Sequence, residues 1–446
     1  MLLGSYQGSI NIRGSFVKNI FKVLIMKFNK KVISWAFYDW GNSAFATTIM
    51  AGFFPMFFKE YWSVGAEIST STARVGIANS IAGLLVALIS PFLGAIADKS
   101  SKRKAFLIFF TSLGVLSSAS LYLISKGSWE LAALFYVLGV AGFSGSNTFY
   151  DSLMVFVSND KSSDMVSSLG FSLGYLGGGL LFALNVWMVL SFDTFGLSST
   201  TQAVKLSFIM VAFWWLIFSI PLLLFVKEDK KERESSYKAL FIEGFNSIKE
   251  TFNEIRSYKK ILYFLIAYWL YIDGVDSVIK MAVDYGMSIG FESNDLITAL
   301  LITQFVGFPA ALLFGIIGNK FGTERGILAA IIVYLGASVW ASMMSVVQEF
   351  YLMAVLIGMV QGGIQALSRS YYSRFVPKER SAQFFGFYNL LGKFATVFGP
   401  ALIGGTTYFV SALGYPDIAS RIGILSVSIL FLAGGFMFIK SIKLDL

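Results

Sequence analysis

The stretch SWAFYDWGNSAFATTIMAGFFPMFF, residues 34–58, has the length and apolar composition of a membrane-spanning helix, yet it contains Asp39 and Asn42. About 20 apolar residues suffice to cross the hydrocarbon core of a bilayer. A carboxylate that faces lipid there is strongly unfavourable, so Asp39 must face a cavity or a protein partner. The three-residue spacing puts Asp39 and Asn42 on one helix face. We therefore predict that this face lines a substrate cavity; the alternative is a structural hydrogen bond between helices.

The rest of the chain is similarly apolar. Of its 446 residues, 56% are hydrophobic and 14% are charged, whereas charged residues make up about 25% of a typical soluble protein. The hydropathy pattern predicts an all-α, polytopic membrane protein with twelve transmembrane helices. The predicted spans are 32–58, 75–97, 104–125, 130–157, 165–191, 203–226, 260–286, 295–318, 325–347, 350–375, 381–410 and 419–440.

The longest polar stretch separates the sixth span from the seventh and divides the spans six and six. We therefore predict a six-helix half over 32–226, a charged linker over 227–259 and a second six-helix half over 260–446. Residues 1–31 are basic and weakly amphipathic, which predicts a segment that lies on the membrane surface or is disordered. They lack the apolar core and cleavage site that define a signal peptide.

The positive charge of the chain is distributed unevenly. The formal net charge is +9, and most of the 35 Lys and Arg residues fall on the side that an even number of spans assigns to both termini. The positive-inside rule then predicts cytoplasmic termini, in the cell (inner) membrane if the source is a bacterium. The basic residues are thus a topology signal, and we expect no nucleic-acid partner.

The chain has no cysteine and no histidine. Their absence excludes disulfides, thiol nucleophiles, histidine proton relays and the usual zinc sites. The glycines of GFSLGYLGGG, residues 170–179, lack the spacing of a phosphate-binding loop after a strand. They fit close helix packing, and the run at 177–179 could also let the helix bend. We therefore expect no enzyme activity, no metal site and no cofactor.

The opening stretch recurs in the second half of the chain. WAFYDWGNS in the first span aligns with WLYIDGVDS in the seventh, so that Asp39 matches Asp273 and Asn42 matches Asp276. The turn after the second span recurs as well, with GAIADKSSKRK in the first half and GIIGNKFGTER in the second. Both halves begin on the same side of the membrane after an even number of spans. The pattern predicts two six-helix halves in parallel repeat, related by an axis along the membrane normal.

Two such halves joined by a charged linker resemble the plan of the major facilitator superfamily, and GAIADKSSKRK resembles its signature between the second and third helices. Five further segments resemble the branch that contains the fungal vacuolar amino-acid effluxers and their bacterial relatives. They are WAFYDWGNSAFATTI, GSNTFYDSLM, GYLGGGLLFALN, QGGIQALSRSYYSRFVP and FFGFYNLLGKFATVFGP. The resemblance implies a secondary transporter whose central cavity is faced by the first and fourth helices of each half. It also implies amino acids as the leading substrate class.

The seventh span carries several charged residues. Asp273, Asp276, Lys280 and Asp284 follow at spacings of three, four and four residues, so all lie near one stripe of the helix. Three carboxylates around one lysine cannot all keep their charge without repulsion, which favours proton exchange at this site. We expect Asp273 and Asp276 to be the coupling pair, because the repeat shares them. The alternative is a self-neutralised polar stripe that lines a wet cavity.

Polar residues of other spans complete the predicted cavity. Gln361, Gln365 and Arg369 follow one another at intervals of four residues in the tenth span, so they lie along one stripe of the helix. The guanidinium of Arg369 is well suited to binding a substrate carboxylate. The alternative for Arg369 is a cytoplasmic interface charge. The other candidates are Asn147 and Asp151 in the fourth span, Gln304 in the eighth, and Asn389 and Lys393 in the eleventh.

The two repeated turns are the candidate cytoplasmic gate. By resemblance, the first turn is a latch that breaks and reforms as the halves rock; the alternative is that its basic residues only set topology. In the second turn Asn319 and Glu324 stand where an acid and a base are usual, which weakens the same inference there. The candidate gate residues are Gly94, Asp98, Lys99, Arg103 and Lys104 in the first turn and Gly315, Lys320 and Arg325 in the second.

Together these features predict a secondary active transporter that moves a small polar solute by rocker-switch alternating access. Amino acids are the leading solutes by resemblance, with proton coupling through the carboxylates of the seventh span. One alternative is a facilitator or exporter of a sugar, a nucleoside or a drug, and another is a non-transporting membrane receptor or scaffold. The expected partners are a small-molecule substrate, membrane lipid and protons, and we expect a monomer.

Overall fold

The computed structural model describes residues 29–66, 68–228 and 249–444. Within these ranges the chain consists of helices and short connections, without strands. We number the long helices in chain order. They are α1 Lys30–Ala44, which continues in irregular helical geometry to Trp62, α2 Ile68–Ser100, α3 Arg103–Ser120, α4 Trp129–Ser152, α5 Ser163–Leu190, α6 Thr200–Phe225, α7 Lys259–Ser288, α8 Ser293–Phe321, α9 Thr323–Met343, α10 Val347–Ser373, α11 Ser381–Ala412 and α12 Pro416–Ser426, which continues as Ser428–Ile442.

Each predicted span coincides with one of these helices, and the prediction of an all-α polytopic membrane fold is confirmed. Within the described ranges, ten helices are long and apolar enough to cross a membrane by length and composition alone. The two other long helices are α1, which leaves regular α-helical geometry at Phe45, and α11.

α1 changes its helical geometry midway. Asn29 caps its first turn through its side chain. The chain then continues as a π-helix over Phe45–Phe53, as a short α-helical piece over Phe54–Phe57, and as a second π-helix over Phe58–Trp62. Such wide turns are rare and often occur near functional sites. The irregular part of α1 begins less than two turns beyond Asp39.

The glycines of α5 serve close packing against α1. A Cβ added at Gly174 would lie 2.6 Å from Ser43 Oγ, and one added at Gly178 would lie 3.1 Å from Thr47 Oγ1. α5 runs as one element through the glycine run at 177–179. Within the run, Gly177 and Gly178 face α1 and Gly179 faces Gln304 of α8, so close packing accounts for these glycines. That the run lets the helix bend stays a prediction.

The buried apolar side chains form two clusters, one mainly from α1–α6 and one mainly from α7–α12. The two sets of helices meet where α5 packs on α8 and α10, and where α2 and α4 pack on α11. The predicted domain boundary at the linker stays a prediction, because residues 229–248 lie outside the described ranges.

One end of the helix bundle gathers the repeated turns and both described ends of the linker. Glu228 accepts a hydrogen bond from the backbone N–H of Arg103 at 2.9 Å. Arg380, just before α11, pairs with Glu254 in the helical segment 249–257. We call this end of the bundle the linker end.

The two repeated turns are extremely short. Two residues separate α2 from α3, and only Gly322 separates α8 from α9. Each turn places one residue in the left-handed region: Ser101 has φ 50° and Gly322 has φ 98°. Glycine adopts this region freely, whereas serine is under strain there. The sharp reversal keeps the ends of the connected helices together at the linker end.

Candidate functional site

Arg369 of α10 lies among polar groups from three helices of the other half. Its side chain is buried, and Nη1 lies 2.9 Å from Asp151 Oδ1 and 3.6 Å from Asp39 Oδ2. Nε donates to Ser167 Oγ and Nη2 to the Ser167 carbonyl, both at 2.9 Å. Each guanidinium nitrogen therefore has a partner, and the partners come from α1, α4 and α5.

Aromatic rings surround this charged group. The guanidinium carbon lies 4.3 Å from the ring centroid of Phe171, 4.9 Å from Trp35 and 5.5 Å from Tyr150. The hydroxyl of Tyr150 donates to Asp39 Oδ2 at 2.9 Å. Rings that exclude water strengthen the electrostatic attraction inside the cluster and add cation–π contacts. We call Asp39, Asp151, Ser167 and Arg369 the central cluster.

The ion pair between Asp151 and Arg369 joins equivalent positions of the repeat. α10 begins at Val347, 218 residues after α4 begins at Trp129, and the same interval separates Arg369 from Asp151. A two-fold axis brings equivalent positions together only where they lie near the axis. Identical charges would repel there, so the chain places opposite charges on the two sides.

Asparagines extend the central cluster. Asn42 Nδ2 donates to Asn147 Oδ1 at 2.5 Å, which links α1 to α4. Asn389 Nδ2 donates to Asp151 Oδ2 at 3.2 Å, which brings α11 to the same carboxylate. One predicted residue from each of the first, fourth, tenth and eleventh spans thus meets in one network, formed by Asp39, Asp151, Arg369 and Asn389. The bond between Asn42 and Asn147 is a separate link between α1 and α4.

The three predicted glutamines have different surroundings. Gln361 is buried, and its Oε1 has no hydrogen-bond partner among the described residues. It lines a cavity of about 80 Å³ that is otherwise formed mainly by apolar residues of α7, α8 and α10. Gln304 lies against Gly179 of α5, and Gln365 is half-buried. Gln361 is therefore the glutamine that a polar ligand would best satisfy.

The predicted stripe of α7 divides into a buried part and an accessible part. Asp273 is buried and accepts the backbone N–H of Gly399 in α11 at 2.9 Å. Asp276 is half-buried and Lys280 is exposed. The side chains of Asp284 and Lys393 lie outside the described part of the structure. The bond to α11 indicates a structural contribution from Asp273, whereas Asp276 and Lys280 are more accessible.

The first predicted turn contacts the start of α11 in the other half. Asp98 accepts the backbone N–H groups of Ala382 at 3.1 Å and Gln383 at 2.8 Å, at the start of α11. Arg103 pairs with Asp98 at 2.6 Å and donates to the carbonyl of Glu379 at 3.1 Å. Charge and the helix dipole both favour a carboxylate at a helix N-terminus. We call this group the first latch.

The remaining gate candidates have different surroundings. Gly94 allows α2 to approach the backbone of Ala382 and Gln383, and Gly315 allows α8 to approach Ser168. Lys104 Nζ donates to the carbonyl of Leu223 at 2.6 Å, at the end of α6. Lys99 is half-buried, whereas Lys320 and Arg325 are exposed.

Sequence reasoning missed four residues near the site: Ser167, Phe171, Asp164 and Arg374. Asp164 is buried in the first turn of α5 and contacts α9 and α10. An acidic residue in a first helical turn normally indicates capping, so its sequence position carried no signal for a contact across the molecule. Ser167 and Phe171 follow Asp164 on the same α5 face at spacings of three and four residues, which could have linked them to it.

Comparison with known sequences agrees with this architecture. Residues 62–408 match the family model described as "Vacuole effluxer Atg22 like". A Bacillus subtilis protein described as the uncharacterized MFS-type transporter YxiO is 36% identical over 413 residues, covering 92% of this chain and 94% of its own length. Autophagy-related protein 22 of Coccidioides immitis is 23% identical over 444 residues, covering 82% of this chain and 72% of its own.

Comparison with solved structures identifies the fold. The human organic anion transporter MFSD10 (TETRAN) superposes with a TM-score of 0.69 at 12% identity, covering 92% of this chain and 99% of its own. The proton:xylose symporter XylE superposes with a TM-score of 0.65 at 10% identity, covering 92% of this chain and 94% of its own. At such identities the likeness shows the fold alone, which is that of the major facilitator superfamily.

Proposed function

Because the chain belongs to the Atg22-like family of major facilitator superfamily transporters, we propose that it moves amino acids across a membrane by alternating access. The two six-helix halves rock about a site between them. The linker end is the cytoplasmic end in this proposal, on the basis of the positive-inside rule.

The central cluster is the observation that carries the proposal. Arg369 belongs to one half, whereas Asp39, Asp151 and Ser167 belong to the other, so separating the halves at this end removes partners from a buried guanidinium. An unpaired buried charge is strongly unfavourable. A solute that offers a replacement partner makes the separation easier.

The charges of the cluster match a zwitterion. A substrate carboxylate can bind the guanidinium of Arg369 through two parallel hydrogen bonds, as carboxylates commonly do. Once the substrate carboxylate has taken the place of Asp39 and Asp151 at Arg369, either aspartate can pair with the substrate ammonium. Gln361 offers a further acceptor through its Oε1, for which the described residues supply no hydrogen-bond partner. This complementarity supports an α-amino acid over a sugar or a nucleoside, which carries no carboxylate.

Proton coupling is the finer part of the proposal, and we assign it to the carboxylates of α7. Asp276 is the more accessible carboxylate, and Lys280 lies one turn further along the same face. Protonation of Asp276 removes a negative charge beside Lys280, and this changes the net charge that α7 presents to the helices packed against it.

The test is the current from reconstituted protein on a solid-supported membrane, with amino acids, sugars, nucleosides and organic acids added in turn at equal and unequal pH. Currents from amino acids that follow the pH gradient support the proposal, and folded Arg369→Gln protein serves as the inactive control. If the transport cycle moves no net charge and so gives no current, the uptake of radiolabelled solute measures transport instead. If sugars or nucleosides are transported and amino acids are not, the substrate assignment is wrong.

A further inference from the structure

Asp164 is the centre of a second contact between the halves at the linker end. Its carboxylate accepts from the hydroxyl of Thr323 at 2.8 Å and from the hydroxyl of Ser370. Arg374 Nη2 lies 2.8 Å from Asp164 Oδ2. Asp164 is on α5, whereas all three partners are on or directly after helices of the second half. With 1% of its surface exposed, Asp164 depends on these partners.

The second turn is adapted to this carboxylate. A Cβ added at Gly318 would lie 2.8 Å from Asp164 Oδ2, so only glycine leaves the carboxylate its space. The next residue is Asn319, at the position that Asp98 holds in the first turn. Asn319 is exposed and so does not take the place of the buried Asp98. An aspartate at 319 would add a second negative charge close to Asp164.

We propose that Asp164 forms a second latch with Thr323, Ser370 and Arg374, in which the first half supplies the carboxylate that the second turn lacks. This inference rests on the proposed alternating access. It explains why Asn319 and Glu324 depart from the usual acid and base of the turn: the acid comes from α5 and the base from the end of α10.

The two latches differ in what happens to their charges when the halves separate. Asp98 and Arg103 belong to the same half, so their ion pair survives separation and only contacts to backbone groups of α11 and the preceding loop are lost. Asp164 and Arg374 belong to opposite halves, so separation splits their ion pair. The second latch therefore contributes an attraction between charged side chains that exists only while the linker end is closed.

The absence of cysteine allows a direct test with two single-cysteine reporters. Ser168 lies at the contact of α5 with α8, and Ser381 begins α11 near the first latch. Both are buried, and neither hydroxyl has a hydrogen-bond partner in the described ranges, so Ser→Cys loses no bond. The rate of maleimide labelling of Ser168→Cys and Ser381→Cys protein in lipid vesicles reports opening of the linker end.

The second latch predicts that Asp164→Asn speeds labelling at both reporters by about tenfold or more, because a hydrogen-bonded ion pair that favours the closed state is lost. Asp160→Asn is the matched control. It removes the same charge from an exposed position four residues earlier and should leave both rates unchanged. Faster labelling at Ser168→Cys alone would indicate local fraying of α5 and would overturn the latch.

Arg374→Gln provides an independent variant at a partly exposed side chain, for the case that Asp164→Asn does not fold. It should raise both labelling rates, and the double variant Asp164→Asn/Arg374→Gln should add little to either single change, because the pair is already broken. If the labelling rate of the double variant rises by the product of the two single effects, Asp164 and Arg374 do not act as a pair. If Arg369→Gln speeds labelling at both reporters and neither latch variant does, the proposed second latch is wrong while alternating access stands. If no variant speeds labelling at the reporters and no solute is transported, the proposed function itself is wrong.

Discussion

The hydrogen bonds of Arg369 require a guanidinium, and a lysine side chain could not make all of them. Its three guanidinium nitrogens reach Asp151, the hydroxyl of Ser167 and the carbonyl of Ser167 in different directions. A lysine ammonium is a point charge at the end of a flexible chain and lacks the planar fork. The same fork is what a substrate carboxylate would bind in the proposed exchange.

Arg369→Lys should therefore reduce the initial rate of amino-acid uptake by about tenfold or more, although the charge is retained. Uptake by purified, reconstituted protein measures this. Arg256→Lys makes the same exchange at an exposed position of the helical segment 249–257 and should leave uptake unchanged. Equal uptake by both variants would mean that the geometry of the guanidinium is unimportant.

The carboxylates of α7 differ in their surroundings, and their substitution separates two roles. Asp273→Asn weakens a bond to the Gly399 backbone and should lower stability, whereas Asp276→Asn should abolish the pH dependence of uptake with smaller effects on stability. Uptake at several pH values, alongside thermal unfolding, measures both. Uptake that keeps its full pH dependence in both variants contradicts coupling through α7.

At the scale of elements, glycines set how closely the helices approach. The contact of α3 with α4 is an example, because Gly142 lies directly against the backbone of Gly114. An added Cβ there would lie 2.8 Å from the carbonyl oxygen of Phe110 as well. Backbone atoms cannot move aside as the end of a side chain can, so the two helices would have to separate.

Gly142→Ala should lower the free energy of unfolding by about 1–3 kcal/mol through this overpacking. Gly336→Ala in α9 is the matched control, since no atom in the described part of the chain lies within 4 Å of the added Cβ. It should be neutral or slightly stabilising, because alanine favours a helix over glycine. Thermal unfolding of both variants in detergent makes the comparison. A Gly142→Ala protein as stable as the control would show that α3 and α4 can readjust without loss.

At the scale of the whole molecule, closure of the linker end must be reversible during transport. The hydroxyls of Ser163 on α5 and Ser370 on α10 lie 2.9 Å apart across the two halves. A disulfide between cysteines at these positions would hold this end closed.

The variant Ser163→Cys/Ser370→Cys should lose uptake when oxidised and regain it after reduction, because rocking requires the two positions to separate. The two single variants, which cannot form the bond within one chain, are the controls. Uptake measured before and after treatment with a reducing agent reports the effect. An oxidised, cross-linked protein that still transports would rule out opening at the linker end.

Much of the fold could be predicted from sequence because a bilayer imposes simple requirements. Twelve apolar segments of sufficient length predict twelve helices, and the repeat of Asp39 and Asn42 as Asp273 and Asp276 indicates two related halves. The same reasoning found Asp39, Asp151 and Arg369, since a charged residue within an apolar segment is conspicuous by itself.

The pairing of these residues was decided only by tertiary structure. The sequence shows that Asp39 needs a partner, but a bond from α10 to α1, α4 and α5 depends on how the two halves pack. Asp164 is the clearer case, because an acid in a first helical turn is satisfied locally in most proteins. The sequence alone thus determined the number of helices and the charged residues that lie within apolar segments, since water and lipid act on each segment separately. The partner of each charge was left to the packing of distant segments, because ion pairs form between neighbours in space.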